Sequence, residues 1–180
     1  MNGYRYRVII GSDCSADIIS GEALLTVNTS PVITNQPVNV KSCPGSTATF
    51  TVGADGSGLD YQWQVNSGTG FNDVTDGGNY SGTGTSSFTI SNLSLAMNGY
   101  LVRVVVSGAC PPPVYSSYAV LNVYSEPSIL VQPVDAEVCE FSSVVYYSQV
   151  YTTGAGETMQ WQVNQGTGWT NISEGGIYSG

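Results

Sequence analysis

The sequence predicts an all-β protein made of tandem β-sandwich domains. Its apolar residues alternate with polar ones in short runs, a pattern typical of strands with one buried face. Turn residues separate these runs, and the same motifs return after about 96 residues, which indicates tandem structural units. Charged residues form only 9% of the chain, so long amphipathic helices with charged outer faces are not expected.

The repeat keeps a fixed register over most of the chain. Met1-Asn2-Gly3-Tyr4 recurs as Met97-Asn98-Gly99-Tyr100. Cys14 aligns with Cys110 and Cys43 with Cys139 in the same register. The motif Gln62-Trp63-Gln64-Val65-Asn66 then returns two residues later than this register predicts, beginning at Gln160. We therefore expect an insertion in the stretch 149–156, whose glycine-containing counterpart, 53–58, is predicted to be a loop.

The register also predicts where domains begin and end. Pro31 and Pro127 each follow short polar residues, and the X-Pro bond favours extended backbone at a junction. Residues 29–124 are predicted to form one complete domain. Residues 1–28 would hold the last two strands of a truncated domain, and residues 125–180 the N-terminal part of a further one. Both chain ends then fall inside a repeat, so we expect a piece of a longer protein.

Within the complete domain, period-2 runs offer one apolar face to a shared core. Turn signals such as Pro44-Gly45 and Asp76-Gly77-Gly78 separate the runs. About seven strands in about 96 residues fits a two-sheet sandwich. The predicted inward residues are Ala48, Phe50, Val52, Tyr61, Trp63, Val65, Phe88, Ile90, Tyr100, Val102, Val104, Val106, Ala119, Leu121 and Val123.

This arrangement resembles the immunoglobulin fold. That fold has a buried Trp on its third strand and a Tyr at the corner entering its sixth, and Trp63 and Tyr100 match these positions. Its usual inter-sheet disulfide would occupy the positions of Val52 and Val102, which are not cysteines. The resemblance therefore implies that apolar packing has replaced that disulfide.

An ordered set of motifs narrows the resemblance to the immunoglobulin-like repeats of very large secreted adhesins and gliding-associated surface proteins of the Bacteroidetes. The family implies strings of such domains at the cell surface, with roles in attachment or gliding motility. The motifs are Ile33-x-x-Gln36-Pro37, Cys43-x-Gly45, Tyr61-Gln62-Trp63-Gln64, Gly70-Phe71, Tyr80-Ser81-Gly82, Met97-Asn98-Gly99-Tyr100 and Cys110.

The four cysteines show none of the short C-x-x-C spacings of zinc or redox sites. Structural disulfides and an oxidising, extracellular compartment are expected instead. Within the immunoglobulin-like frame, Cys43 and Cys110 form the predicted bridge, which would constrain the unfolded chain by roughly 4 kcal/mol. Cys14 and Cys139 would then lack partners in this chain.

Charge and composition exclude several functions. The 13 acidic and four basic residues give a net charge of −9, so we expect no nucleic-acid partner. No apolar run approaches the roughly 18 residues of a membrane span. Histidine is absent, which removes Ser-His catalysis and His-metal sites.

Acidic and aromatic residues supply the remaining candidate sites. A glycosidase needs two carboxylates, but the available acids occupy turn and edge positions, so no enzyme activity and no cofactor are predicted. Residues 72–78 have the oxygen atoms of a calcium loop, although a plain Asp-Gly hairpin turn is favoured. Phe71 and its counterpart Trp169 could stack on a sugar, although covering the sheet edge is favoured. The carboxylates considered for glycosidase chemistry are Asp55, Asp60, Asp73, Asp76, Glu157 and Glu174.

Three functions remain compatible with these observations. The first is a spacer or stalk, since repeats with short linkers give length and need contacts only with neighbouring repeats. The second is an adhesin module that binds a surface glycan or protein through its loops. The third is a subunit of a self-assembling filament, in which residues 1–28 complete residues 125–180 of another copy. That assembled sandwich would lack the strand containing Phe88 and Ile90.

Overall fold

Strands account for nearly all regular structure in the computed structural model, which describes residues 1–152, 154, 158–176 and 178. Part of the segment 149–156 and the candidate acid Glu157 therefore lie outside the described residues. The chain divides into two compact units, Met1–Val123 and Tyr124–Gly180. This division lies one residue before the predicted boundary at 124/125, while residues 1–28 do not separate from the complete domain.

The first unit contains fifteen strands and one 3₁₀ turn, Leu95–Met97. Their bounds are β1 (Arg5–Tyr6), β2 (Ile9–Ser12), β3 (Ser15–Ile19), β4 (Ala23–Leu24), β5 (Val32–Asn35), β6 (Val40–Ser42), β7 (Ala48–Thr51), β8 (Gly53–Asp55), β9 (Asp60–Asn66), β10 (Phe71–Asp73), β11 (Tyr80–Ser81), β12 (Ser87–Ile90), β13 (Leu101–Ser107), β14 (Val114–Tyr115) and β15 (Ala119–Val123).

The second unit is described by four strands. They form two separate antiparallel pairs, the first with the second and the third with the fourth. Their bounds are β16 (Ser128–Val131), β17 (Gln149–Tyr151), β18 (Gln162–Asn164) and β19 (Trp169–Asn171).

The complete domain is an all-β sandwich, as the sequence predicts. One sheet has the order β10-β9-β13-β15-β6, with β14 also paired to β13. A second has the order β11-β12-β7, and β5 pairs with β8. Alternate residues along β7, β9, β12, β13 and β15 are buried, so one core lies between the sheets.

Aromatic packing organises the centre of this core. Trp63 is fully buried, and its ring stacks on Phe88 at 5.4 Å between centroids. The indole Nε1 of Trp63 donates a hydrogen bond of 2.8 Å to the carbonyl oxygen of Thr85, so its polar atom is satisfied. Val102 is fully buried and Val52 is 7% exposed, while Tyr100 is half-buried against the same cluster.

The structure corrects the predicted loop at residues 53–58. Gly53–Asp55 form β8, which pairs with β5. Glycine is required at the first position because a Cβ there would lie 2.8 Å from Thr34 Oγ1 and 3.0 Å from Asn35 Cβ. Glycine in a strand often marks such a close approach, and here it made a strand look like a loop.

Residues 1–28 repeat the local bonding of the last strands of the complete domain. The Val8 amide donates to Ser20 Oγ at 3.0 Å. The equivalent bond in the complete domain joins the Val104 amide to Ser116 Oγ at 2.9 Å. The Val27 amide also donates to Asn2 Oδ1, as the Val123 amide does to Asn98 Oδ1. The Leu25 amide donates to the Tyr4 carbonyl oxygen, as the Leu121 amide does to that of Tyr100.

The second unit repeats the local bonding of the β9–β10 hairpin. Gln160 Nε2 donates to the Ile172 carbonyl at 2.8 Å, as Gln62 Nε2 does to Val74. The amides of Gly166 and Gly168 both donate to Asn164 Oδ1, as those of Gly68 and Gly70 do to Asn66 Oδ1. The shared motifs therefore specify the same hairpin in both copies.

The predicted Cys43–Cys110 bridge is not formed, since both cysteines are free thiols. Cys43 follows β6, whose last residue pairs with Val123 at the end of β15. Cys110 follows the opposite end of β13, because β15 runs antiparallel to β13. The two cysteines therefore lie at opposite ends of the sandwich.

The length of β13 indicates how far apart Cys43 and Cys110 lie. Its seven residues rise about 3.3 Å each, which places the cysteines roughly 20 Å or more apart. Disulfides require Cα atoms within about 7 Å of each other. A bridge between Cys43 and Cys110 of one domain would therefore require the sandwich to unfold. The resemblance misled here because it does not reveal that β6 pairs parallel to β15.

Alkylation tests this arrangement. We expect Cys43 and Cys110 of the purified, non-reduced chain to carry the mass of the alkylating reagent in peptide mapping. The expected result follows from their separation and from the exposure of Cys43. A disulfide-linked peptide that contains both residues and comes from the monomeric chain would contradict this strand order.

Candidate interaction surface

The outer face of the larger sheet gathers polar and aromatic side chains into one row. Strand alternation turns Val65, Val102 and Val104 into the core, so Gln64 and Arg103 lie on the opposite face. The register places Gln64 directly opposite both Asp73 and Arg103. We call Phe71, Asp73, Gln64, Arg103 and Tyr115 the outer-face cluster.

Direct contacts fix the geometry of the outer-face cluster. The Nε of Arg103 donates to Gln64 Oε1 at 2.7 Å, and Gln64 Nε2 donates to Asp73 Oδ1 at 2.7 Å. The Arg103 guanidinium carbon lies 4.0 Å from the ring centroid of Phe71 and 5.1 Å from that of Tyr115. Both distances fall within the range of cation–π attraction.

These contacts hold the Arg103 guanidinium in place while leaving its two Nη groups available to a partner. Among the described residues, no hydrogen bond or ion pair engages the two Nη groups of Arg103. A guanidinium presents its N–H groups as a planar fork that matches a carboxylate. The cluster can therefore recognise a carboxylate on a partner without first ordering the arginine side chain.

The structure gives Phe71 a role that the sequence did not indicate. Its ring is half-buried in the edge strand β10 and packs against Arg103. The counterpart Trp169 is 69% exposed, in a unit whose described residues contain no strand equivalent to β13. Sequence spacing could not reveal the stacked arginine, because Phe71 on β10 and Arg103 on β13 are far apart along the chain and are brought together by β9, which pairs with both strands.

Asp76 is committed to a structural turn within the candidate calcium segment 72–78. Its Oδ1 accepts hydrogen bonds from the Thr83 amide at 2.8 Å and the Thr83 hydroxyl at 2.7 Å. These two bonds, the backbone bond first, lower the pKa of the Asp76 carboxyl below its ordinary value. Asp73 accepts the bond from Gln64 instead. The two carboxylates thus have separate protein partners.

Neither a metal cluster nor a membrane helix is present in the described part of the chain. Within residues 1–152, 154, 158–176 and 178, no three His, Cys, Asp or Glu side chains group closely enough to hold a metal ion. In the same residues, no helix has the length and apolar character needed to cross a bilayer.

Comparisons with known proteins show the fold. No protein-family model and no curated protein sequence matches the chain. An I-band fragment of titin matches with a TM-score of 0.62 and 16% identity, covering 81% of this chain and 49% of the fragment. A Glu-to-Ala variant of a three-domain titin fragment gives a TM-score of 0.62 and 17% identity, covering 82% of this chain and 50% of the fragment.

These likenesses define the class of structure. At such low identity they show the fold alone, which is a tandem array of immunoglobulin-like β-sandwich domains. This chain spans about half the length of the two titin fragments.

The Asp76 turn yields a prediction about pH. A carboxyl whose pKa is lower in the folded than in the unfolded state stabilises the fold above the unfolded value near 3.8, and this contribution is lost as pH falls through the folded pKa. We expect Asp76→Asn to lower the thermal midpoint at neutral pH, and the difference from wild type to shrink in acid.

Asp60→Asn is the matched control, because Asp60 is an exposed carboxylate at the start of β9. It should leave the midpoint nearly unchanged. Equal effects of the two substitutions at neutral pH would show that the Thr83 bonds do not stabilise the turn.

Proposed function

We propose that this chain is a segment of a secreted surface protein in which immunoglobulin-like repeats act as a tension-bearing spacer. Residues 29–124 form the complete repeat, and residues 1–28 and 125–180 are parts of its neighbours in a longer chain. The role is mechanical and not enzymatic. Neighbouring repeats are its principal partners, and its place is the cell surface or the extracellular space.

The parallel pairing of β6 with β15 carries this proposal. Leu121 lies opposite Val40, Asn122 opposite Lys41, and Val123 opposite Ser42. β6 lies near the start of the domain and β15 is its last strand. Tension between the ends of the domain therefore pulls these two strands in opposite directions along their own axes.

This geometry determines how the domain resists force. Hydrogen bonds between the two strands are loaded together in shear, whereas an antiparallel pair pulled from one end opens one bond at a time. The Asn39 side chain adds to the same junction, because its Oδ1 accepts a bond of 2.8 Å from the Val120 amide. The β6–β15 junction is therefore suited to holding a domain closed within a loaded array.

Motif resemblance supports the proposed cellular context. The ordered set from Ile33 to Cys110 is similar to the repeats of Bacteroidetes surface adhesins and gliding-associated proteins. Short X-Pro junctions are compatible with consecutive repeats joined by short linkers.

Single-molecule pulling from the chain ends tests the mechanical role. The complete domain should unfold in one step that releases about 30 nm of chain, given roughly 3.3–3.6 Å per residue. Lys41→Pro, which removes a backbone donor from β6, should lower the unfolding force, while Lys41→Ala should not. An unchanged force in the proline variant would contradict loading through the β6–β15 junction.

The outer-face cluster favours a second candidate, an adhesin module for a glycan or protein that carries carboxylates. The available Nη groups of Arg103 are the observation behind it. A glycan screen with the whole chain, repeated with Arg103→Ala, separates the two functions. Binding of an acidic glycan that is lost in the variant would favour the adhesin, and absence of binding would favour the spacer.

A further inference from the structure

The two cysteines of the complete domain have no partner within it. Cys43 and Cys110 lie at opposite ends of the sandwich, and both are free thiols. Cys43 is exposed and Cys110 is half-buried, so each has a surface position. The repeat register carries the same two positions in the flanking repeats, as Cys139 and Cys14. A repeat of this type therefore presents one thiol at each of its ends.

Cys43 lies at the end of the domain where the chain leaves it. The preceding residue, Ser42, is opposite Val123 in the parallel pairing of β6 with β15. Val123 ends the last strand of the domain. Since neighbouring strands lie about 4.8 Å apart, Cys43 is roughly one strand spacing from the exit of the chain.

Cys110 lies at the end where the chain enters. Hydrogen bonds connect its neighbour Ala109 to the start of the domain. The Ala109 amide donates to the Ser57 carbonyl oxygen at 2.8 Å, and the Ser57 amide donates to the Thr29 carbonyl oxygen at 3.1 Å. The Thr29 amide donates in return to Ser57 Oγ at 3.1 Å. Cys110 is therefore about two strand spacings from the entry of the chain.

The connection between consecutive repeats is short. Thr29 corresponds to Ser125 in the repeat register, so the chain enters the following repeat two residues after Val123. Two extended residues span at most roughly 7 Å. The Cys43 position of one repeat and the Cys110 position of the following repeat therefore flank the same short connection.

We propose that a disulfide across this connection joins the Cys43 position of one repeat to the Cys110 position of the next. The proposal rests on the proposed function, in which residues 29–124 are one repeat of a longer chain. Cys43 pairs with the following repeat and Cys110 with the preceding one. Neither partner position falls within residues 1–180, which agrees with the free thiols expected of this polypeptide on alkylation.

Formation of this bond needs a two-electron oxidant, which a small-molecule disulfide such as oxidised glutathione supplies. One cysteine thiolate attacks the glutathione disulfide and displaces the first glutathione thiolate. The second cysteine thiolate attacks the resulting mixed disulfide and displaces the other glutathione thiolate. Two cysteine thiols thus lose two electrons and two protons, and one glutathione disulfide becomes two glutathione thiols.

The bond limits how far a loaded array can extend. From Cys110 the shortest covalent route runs forward through β15 to Cys139, which is the Cys43 position of the next repeat, and crosses there into a third repeat. Only the residues on this route lengthen when the repeats unfold. They supply about 10 nm for every two repeats, in place of about 30 nm for each repeat without the bond. The disulfides therefore keep most of each repeat out of the loaded path.

A duplicated repeat within the full chain tests the proposal. A second copy of residues 29–124 is inserted directly after residue 124, and Cys14→Ser and Cys139→Ser remove the outer thiols. The near-pair variant keeps Cys43 in the first copy and Cys110 in the second, with serine at the other two positions. Its matched control, the far-pair variant, keeps Cys110 in the first copy and Cys43 in the second. Only the near-pair variant has both thiols at one connection.

In a glutathione redox buffer, the near pair should form a disulfide in most monomers and the far pair should stay reduced. The equilibrium constants for closure should differ roughly a hundredfold or more, because the far thiols cannot meet while both copies are folded. Mass spectrometry after alkylation counts the free thiols, and peptide mapping of the monomer identifies the linked peptide. A cooperative thermal transition of each reduced variant verifies that it is folded.

Free thiols in the folded near-pair variant would overturn the proposal, and so would equal closure in the two variants. Pulling from the chain ends separates this result from the proposed function. With the near pair closed, the two copies should release about 10 nm in place of about 60 nm, and reduction should restore the full length. The unfolding force of the reduced variant reports on the β6–β15 junction alone, so failure of that junction and failure of the disulfide are distinguishable.

Discussion

Insertion of the β13–β15 hairpin between β9 and β6 is the constraint on which the complete domain depends. It supplies six of the fully buried side chains. It also pairs with β9 on one side and with β6 on the other, so it joins these two strands in one sheet. Burial of these side chains removes roughly 1.5–3 kcal/mol of unfavourable hydration for each valine or leucine. The same motifs in residues 1–28 and 125–180 keep their turns and local bonds.

The same insertion links structure to the proposed mechanical role. Because β15 meets β6 in parallel, the first and last parts of the domain are tied directly to each other. In the proposed role, force on the array would pass through this junction before it reaches the core. The aromatic residues around Trp63 stabilise the sandwich but do not belong to β6 or β15, the two strands that would bear the proposed load.

Sequence patterns predicted the parts of the fold that depend on alternation. The strands at 48–51, 60–66, 87–90, 101–107 and 119–123 each bury one face, so period 2 appears in their sequences. Short edge strands such as β8, β10 and β14 have two or three residues and too few side chains to show a period. Their existence depends on the backbone of a neighbour, as the pairing of Gly53–Asp55 with β5 shows.

The candidate sites were less predictable, for a related physical reason. Whether Cys43 and Cys110 meet depends on the direction in which β6 pairs, and one sequence does not contain that information. Arg103 gains its place from Phe71, Gln64 and Tyr115, which converge only after the sheet has formed. The Asp76 turn was closer to prediction, since an Asp-Gly turn is local and Thr83 is only seven residues away.

Amide hydrogen exchange tests the role of the hairpin most directly. In the polypeptide of residues 1–180, the amides of Val102, Val104 and Val106 should exchange slowly and together with those of β9. The equivalent amides in residues 1–28, where Val8 and Ile10 are exposed, should exchange much faster, as should those of β18. Equally slow exchange in all of these strands, or fast exchange in β13, would contradict the account.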